Sequence, residues 1–235
     1  LAAEIQKMLI PSDLPQLHNI SMSALYLPHS EVGGDYYDIL EKNGHLIICI
    51  GDISGKGISA AMLMSNVQAN FRALARENIG LEEMIRRLNR RFVKITNGER
   101  FITFFVASID LNSGEIEYIN AGHNPPLLIQ KQKLKLLESG CTILGAFYDI
   151  PNIKTGKEKL RKGDILFLYT DGLTDLESEN DERFGEERLN SFLIDHCEFE
   201  LEHIIDTLKS ELLEFKKDKE FYDDISYFVF KRPNR

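Results

Sequence analysis

The apolar residues of this chain recur with two periods, and the switch from one to the other marks its elements. Ala2, Ile5, Met8 and Leu9 fall on one face at helical spacing, and Ile10-Pro11 ends that helix because proline disfavours the helical state in the residue before it. Residues 20–27 alternate loosely between apolar and polar and predict a strand. Two more strands are predicted at 36–40 and 46–50, joined by a turn at Lys42-Asn43-Gly44. Residues 58–77, rich in Ala, Met and Leu and free of Pro and Gly, predict a helix. Residues 81–96, with Met84, Ile85, Leu88 and Phe92 at helical spacing, predict another. Strands are expected at 101–110 and 115–121, around Asn112-Ser113-Gly114, and at 125–130. The almost wholly apolar run 164–169 predicts a strand buried on both faces. Helices at 189–192 and 201–215 and a strand at 225–231 close the chain.

This order, with its hairpin-like turns, is an α+β pattern: antiparallel sheets with helices packed on their outer faces, not a doubly wound βαβ alternation. Neither repeats nor a convincing linker interrupt it, so one main domain is expected. The start at Leu1, inside a helical pattern, reads as a cut from a longer protein whose helix continues upstream.

Composition narrows the function. With 28 basic and 37 acidic residues the net charge is −9, which argues against nucleic acid as a partner because phosphate backbones need a basic surface. Cys49, Cys141 and Cys197 are isolated, and the absence of a Cys-x-x-Cys pair argues against structural zinc. Cys49 lies in an apolar run and reads as a small buried hydrophobe, and a reducing, cytoplasmic setting is expected. No apolar stretch approaches the length of about 18 residues needed for a membrane span.

Five Asp-bearing segments carry the candidate chemistry: Gly33-Gly34-Asp35-Tyr36-Tyr37-Asp38, Gly51-Asp52-Ile53-Ser54-Gly55-Lys56-Gly57, Tyr169-Thr170-Asp171-Gly172, Thr174-Asp175 and Asp223-Asp224-Ile225-Ser226. Each has a plain structural reading: a tight turn for Gly-Gly-Asp, a helix-entry loop around Asp52, solvated loops for the rest. The segment at 51–57 lacks the spacing of a phosphate-binding Walker loop, and Leu173 stands where a dehalogenase-type Asp-x-Asp would need its second Asp. Taken together, carboxylates placed beside glycine at strand ends suit a hard cation such as magnesium or manganese, and the backbone carbonyl of Ile53 is a further candidate ligand.

In this order the segments resemble the PPM-type, protein phosphatase 2C-like metal-dependent phosphatases, and within them the bacterial SpoIIE/RsbU branch. The matching elements are Val32 to Asp38, Gly51 to Gly57 with Ala60-Ala61, Asn120-Ala-Gly-His-Asn-Pro-Pro126, Gly163-Asp164 with Tyr169 to Gly172, Phe184-Gly185 and Asp223 to Ser226, which cover nearly the whole chain. The resemblance implies two central antiparallel sheets packed face to face between helices, an αββα sandwich, over residues 16–235. It implies two manganese or magnesium ions. Asp52 would bridge both, Asp171 and Asp223 would hold one, the Ile53 carbonyl would serve the other, and Asp35 would bind directly or through water. Asp224 is a neighbour whose role is not separated from that of Asp223. Asp35 and Asp52 would act through a metal-bound water, whose hydroxide attacks a phosphoserine or phosphothreonine in line, without a covalent intermediate. The substrate implied is a phosphoprotein, a STAS-type anti-sigma-factor antagonist in this branch. Lys56 stands where the family usually has His, and Asp175 where it often has Glu; Lys56 reads as a solvated loop residue. His123 reads as a hydrogen-bonded structural residue, with a general-acid role as the alternative. Residues 1–15 resemble the linker helix that joins such domains to upstream sensory or receiver domains, which would allow the helix to pair with a second copy; a terminal helix simply packed on the domain is the alternative. Two rival readings remain at this point: a binding or scaffold module without catalysis, and a nucleotide cyclase, which would need Glu at Tyr36.

Overall fold

The strands of the computed structural model, which describes residues 2–11 and 13–233, sort into two sheets. Helix α1 (Ala2–Leu9) leads to strand β1 (Ser21–Leu27), and the hairpin β2 (Tyr36–Lys42) and β3 (His45–Ile53) follows. Its two-residue loop, Asn43-Gly44, has positive φ at both positions (52° and 77°), the geometry that matches the natural twist of paired strands. Helices α2 (Gly57–Arg76) and α3 (Leu81–Thr96) precede β4 (Ile102–Asp110), β5 (Glu115–Ala121), β6 (Leu127–Gln130), β7 (Lys133–Leu136), β8 (Gly140–Cys141), β9 (Gly156–Lys159) and β10 (Ile165–Tyr169). The single turn α4 (Asp171–Thr174), helices α5 (Gly185–His196) and α6 (Leu201–Lys216), and strand β11 (Ile225–Lys231) complete the order.

One sheet runs β1-β11-β10-β6-β7 and the other β2-β3-β4-β5-β8, with β9 also on β5. Period-two alternation divides the core. On β10 and β11, Leu166, Leu168, Phe228 and Phe230 join the cluster shared with the second sheet, and the Tyr37 and Phe228 rings meet across the interface at 5.2 Å. The intervening Ile165, Phe167, Tyr227 and Val229 pack instead on Leu189, Leu193, Ile204 and Leu208 of α5 and α6. That is why the run 165–169 is apolar throughout: both of its faces are covered. Helices α2 and α3 cover the second sheet, with Phe71 against Tyr36 and Phe104. The result is the expected helix–sheet–sheet–helix sandwich, with one exception to the antiparallel rule in the short parallel pair β5–β8.

Strands β7, β8 and β9 and the turn α4 were not expected from the sequence. Lys-Leu-Lys-Leu and Gly-Lys-Glu-Lys are short edge segments with little to bury, so their hydrophobic signal is weak. Helix α1 also differs from its apolar pattern: Ile5 and Met8 are exposed and the polar Gln6 is its buried residue. Leu1 and Ser12, within the segment 1–15, lie outside the described residues.

Candidate metal centre

The pairing of strands brings four of the five acidic segments to one end of the sandwich, those of Asp35, Asp52, Asp171 and Asp223-Asp224. The β2–β3 register sets Tyr36 opposite Gly51, so Asp35 and Asp52 are neighbours across the hairpin. The β10–β11 register sets Tyr169 opposite Tyr227 and continues as a Thr170 N–H bond to the Ser226 carbonyl at 3.0 Å, which places Asp171 beside Asp223 and Asp224. The two sheets are tied here by the Thr170 hydroxyl, which donates to Asp35 Oδ2 at 2.7 Å and accepts from Ser226 N–H at 3.0 Å.

Glycine is required where these segments touch. A Cβ on Gly33 would sit 1.9 Å from Asp224 Oδ2, one on Gly34 2.9 Å from the Ile53 carbonyl oxygen, and one on Gly172 2.0 Å from the Asp224 carbonyl oxygen. The Gly33-Gly34 pair is therefore more than a turn former: it lets the backbone close on the acidic groups.

The adjacent aspartates of the last segment point to different partners. Asp224 is buried and accepts backbone N–H bonds from His29 at 2.8 Å and Gly34 at 2.7 Å. Asp223 is half exposed, and its Oδ2 lies 2.8 Å from Lys56 Nζ, which also donates to the Tyr222 carbonyl. Lys56 is thus an ion-pair partner inside the centre, not only a solvated loop residue.

The electrostatics follow from crowding like charges in a partly dry site. Burial, reinforced by Asp171, Asp223 and Asp224, pushes Asp52 up to about 7, while Lys56 pulls it back. Burial, then Asp52 and Asp224, drives Asp35 well above the usual carboxylate range, and burial with Asp223 and Asp175 raises Asp171. Among the described residues no three acidic, imidazole or thiol groups form a closed set around one point. Hard divalent cations keep several waters and take one or two carboxylates each, so an all-oxygen set of mutually repelling aspartates with glycine-backed carbonyls fits them.

The other acidic and histidine candidates fall outside this group. Asp38 is fully buried in a bidentate pair with Arg72, at 2.6 and 3.0 Å, and accepts from the Tyr36 hydroxyl. Asp175 pairs with Arg183 at 2.8 Å on the rim of a cleft of about 150 Å³ that Asp171, Tyr222 and Asp223 also line. His123 is buried, its Nδ1 lies 2.9 Å from the hydroxyl of Thr103, and burial lowers it to about 4. A neutral imidazole near pH 7 is a poor proton donor. Gln6 and the Thr170 hydroxyl are the contributors that sequence reasoning missed. Thr170 lies in a segment already singled out, but nothing in the sequence marks Gln6.

Residues 42–233 match the family described as Stage II sporulation protein E (SpoIIE). The chain belongs to the SpoIIE family. Among SpoIIE-family relatives it is similar to the phosphoserine phosphatase RsbU of Bacillus subtilis, 28% identical over 99% of this chain and 69% of that protein. It is likewise similar to protein IcfG of Synechocystis, 30% identical over 97% of this chain and 40% of that protein. It therefore spans about two thirds of RsbU and two fifths of IcfG. The fold matches the SiaA-PP2C domain of Pseudomonas aeruginosa with a TM-score of 0.85 at 18% identity, covering 98% of this chain and 94% of that one. Family and fold together place this SpoIIE-family chain among the PP2C-type phosphatase domains.

Proposed function

We propose that this SpoIIE-family domain is a metal-dependent protein phosphatase that removes phosphate from phosphoserine or phosphothreonine on a regulatory protein, with a STAS-type anti-sigma-factor antagonist as the substrate class. The observation that carries the reading is the convergence of Asp35, Asp52, Asp171 and Asp223 at one end of the sandwich, where Lys56 is the cation among the described residues that offsets their charge. Stability alone would not select such a cluster. Two manganese or magnesium ions would supply the neutralising charge and an activated water there.

The roles of the side chains follow from their surroundings. Asp52, repelled by three other aspartates, would serve both ions, and Asp171 and the half-exposed Asp223 would help to hold one of them. Gly34 keeps the Ile53 carbonyl open to the other, and Asp35 is oriented by Thr170. Asp224, with its oxygens bonded to two backbone N–H groups, shapes the loop, which favours Asp223 as the direct ligand of the pair. A phosphoprotein would approach over the cleft beside Tyr222, where Lys56 and Arg183 add positive charge. A scaffold without catalysis has no need of this cluster, and a cyclase lacks its acid at Tyr36.

Residues 1–15 are assigned as a regulatory linker to an upstream sensory or receiver domain, in a cytoplasmic protein. The outward-facing Ile5 and Met8 favour pairing of this helix with a second copy. The test of the reading is hydrolysis of phosphorylated STAS proteins by the chain with and without manganese. Manganese-dependent release of phosphate, lost in Asp52→Asn, supports it; equal release by wild type and Asp52→Asn refutes it.

A further inference from the structure

Helix α1 docks on the domain by an unusual residue. Its apolar Ile5 and Met8 are 52% and 82% exposed, whereas Gln6 is 4% exposed. The Gln6 carboxamide bonds both backbone polar groups of one residue: Nε2 donates to the Gly33 carbonyl at 2.7 Å, and Oε1 accepts from the Gly33 N–H at 3.0 Å. Gly33 belongs to no strand, so this side chain supplies the pairing that a sheet neighbour would otherwise give. One residue on, Gly34 N–H donates to Asp224 Oδ2 at 2.7 Å, the same oxygen that a Cβ on Gly33 would meet at 1.9 Å. The next residue is Asp35, tied to Thr170. The turn that delivers Asp35 and exposes the Ile53 carbonyl is thus gripped between the first helix and the last strand.

A helix docked only for burial would turn its apolar side inward. This one packs Leu9 against the core but turns Ile5 and Met8 outward and its amide inward, and a buried amide costs free energy unless its bonds are made. We propose that Gln6 is a positioning residue for the turn 33–35, and that the affinity of the centre for its cation depends on α1 being docked. The proposal rests on the metal-dependent reading given above. Partners that orient a metal site without touching the ion typically change its affinity by about 10- to 100-fold when removed.

The experiment uses the whole chain with Gln6→Leu, which keeps the bulk and loses both bonds, Gln6→Glu, which keeps the acceptor and loses the donor, and Lys7→Ala as a control at an exposed position of the same helix. Amide hydrogen exchange at Gly33 and Gly34 is followed in EDTA, and manganese affinity is measured by calorimetry. Gln6→Leu is expected to speed exchange at Gly33 and Gly34 about tenfold or more and to weaken manganese binding by about 10- to 100-fold. Gln6→Glu should fall between Gln6→Leu and wild type, and Lys7→Ala should match wild type. Faster exchange confined to α1, with the turn and the manganese affinity as in wild type, would overturn the proposal and leave Gln6 as a packing residue. If wild type itself binds no manganese at millimolar concentration, the metal reading of the site fails; exchange at the turn then still decides the grip, which stands if Gly33 and Gly34 loosen and falls if they do not. If Gln6→Leu does not fold, Gln6→Glu carries both measurements.

Discussion

Replacing Asp52 by Asn should stabilise the metal-free protein while abolishing its response to metal. Asp52 is the carboxylate most directly opposed by others, with burial, Asp171, Asp223 and Asp224 together raising it from 3.8 to about 7. The sign follows from proton linkage: below about pH 4 the group is protonated in both states and costs nothing. Between there and about 7 the native state holds the proton longer than the unfolded chain, so stability falls as pH rises; above about 7 the penalty is complete. At about 1.36 kcal/mol per pH unit the gap corresponds to about 4 kcal/mol, and partial solvent access reduces it to about 2 kcal/mol. Asn has no such penalty, so at pH 8 in EDTA the variant should melt about 4–8 °C higher than wild type. Its advantage should shrink toward zero near pH 4. Added manganese should raise the melting temperature of wild type and leave the variant unchanged, because binding to the native state alone stabilises by mass action. Thermal melts at pH 4, 6 and 8, with EDTA or manganese, measure all of this. A variant that melts lower than wild type in EDTA at pH 8, or that keeps the manganese shift, would refute the account of Asp52 as a repelled ligand.

Three further substitutions probe neighbouring parts. Lys56→Met removes both a nearby positive charge and the partner of Asp223, whose pairing is half exposed; calorimetry should show manganese binding tightened by about 3- to 10-fold with the melting temperature nearly unchanged. Asp223→Asn and Asp224→Asn should separate: the first loses manganese binding with little cost in stability, and the second loses about 2–3 kcal/mol in urea unfolding because two backbone N–H groups lose a charged acceptor. Arg72→Ala leaves the fully buried Asp38 unpaired and should lower stability by about 3 kcal/mol, with partial recovery in the Arg72→Ala, Asp38→Asn double variant.

Much of this architecture was legible because burial imposes period. The run 165–169 must be apolar at every position to satisfy helices on one side and a sheet on the other, and helix α3 carries a stripe facing the same core. The segments β7 and β9 evade such reading because an edge strand of four residues, half of them Lys, gains little from burial and owes its conformation to its neighbour's free backbone groups. The carboxylates of the centre were legible for a related reason: an aspartate beside glycine at the end of an apolar run contributes little to a core. Their division of labour was not. Asp223 and Asp224 are consecutive and chemically identical, and only the alternation of side chains entering β11 sends one to Lys56 and the other to the Gly34 N–H.

Gln6 lay furthest out of reach, since a glutamine within an apolar helical pattern reads as surface while Ile5 and Met8 read as core, the reverse of what the fold does with them. The reversal has a physical basis. The carboxylates of this centre repel one another, so the segments bearing them need restraint from groups that do not themselves crowd the ion position. Backbone N–H groups, a threonine hydroxyl and a carboxamide supply it: His29 and Gly34 to Asp224, Thr170 to Asp35, and Gln6 to Gly33. Neutral donors of this kind hold geometry without cancelling the negative potential that a cation needs. Among the described residues Lys56 is the charged exception, and its pairing with the half-exposed Asp223 makes it the group that a cation bound there would displace.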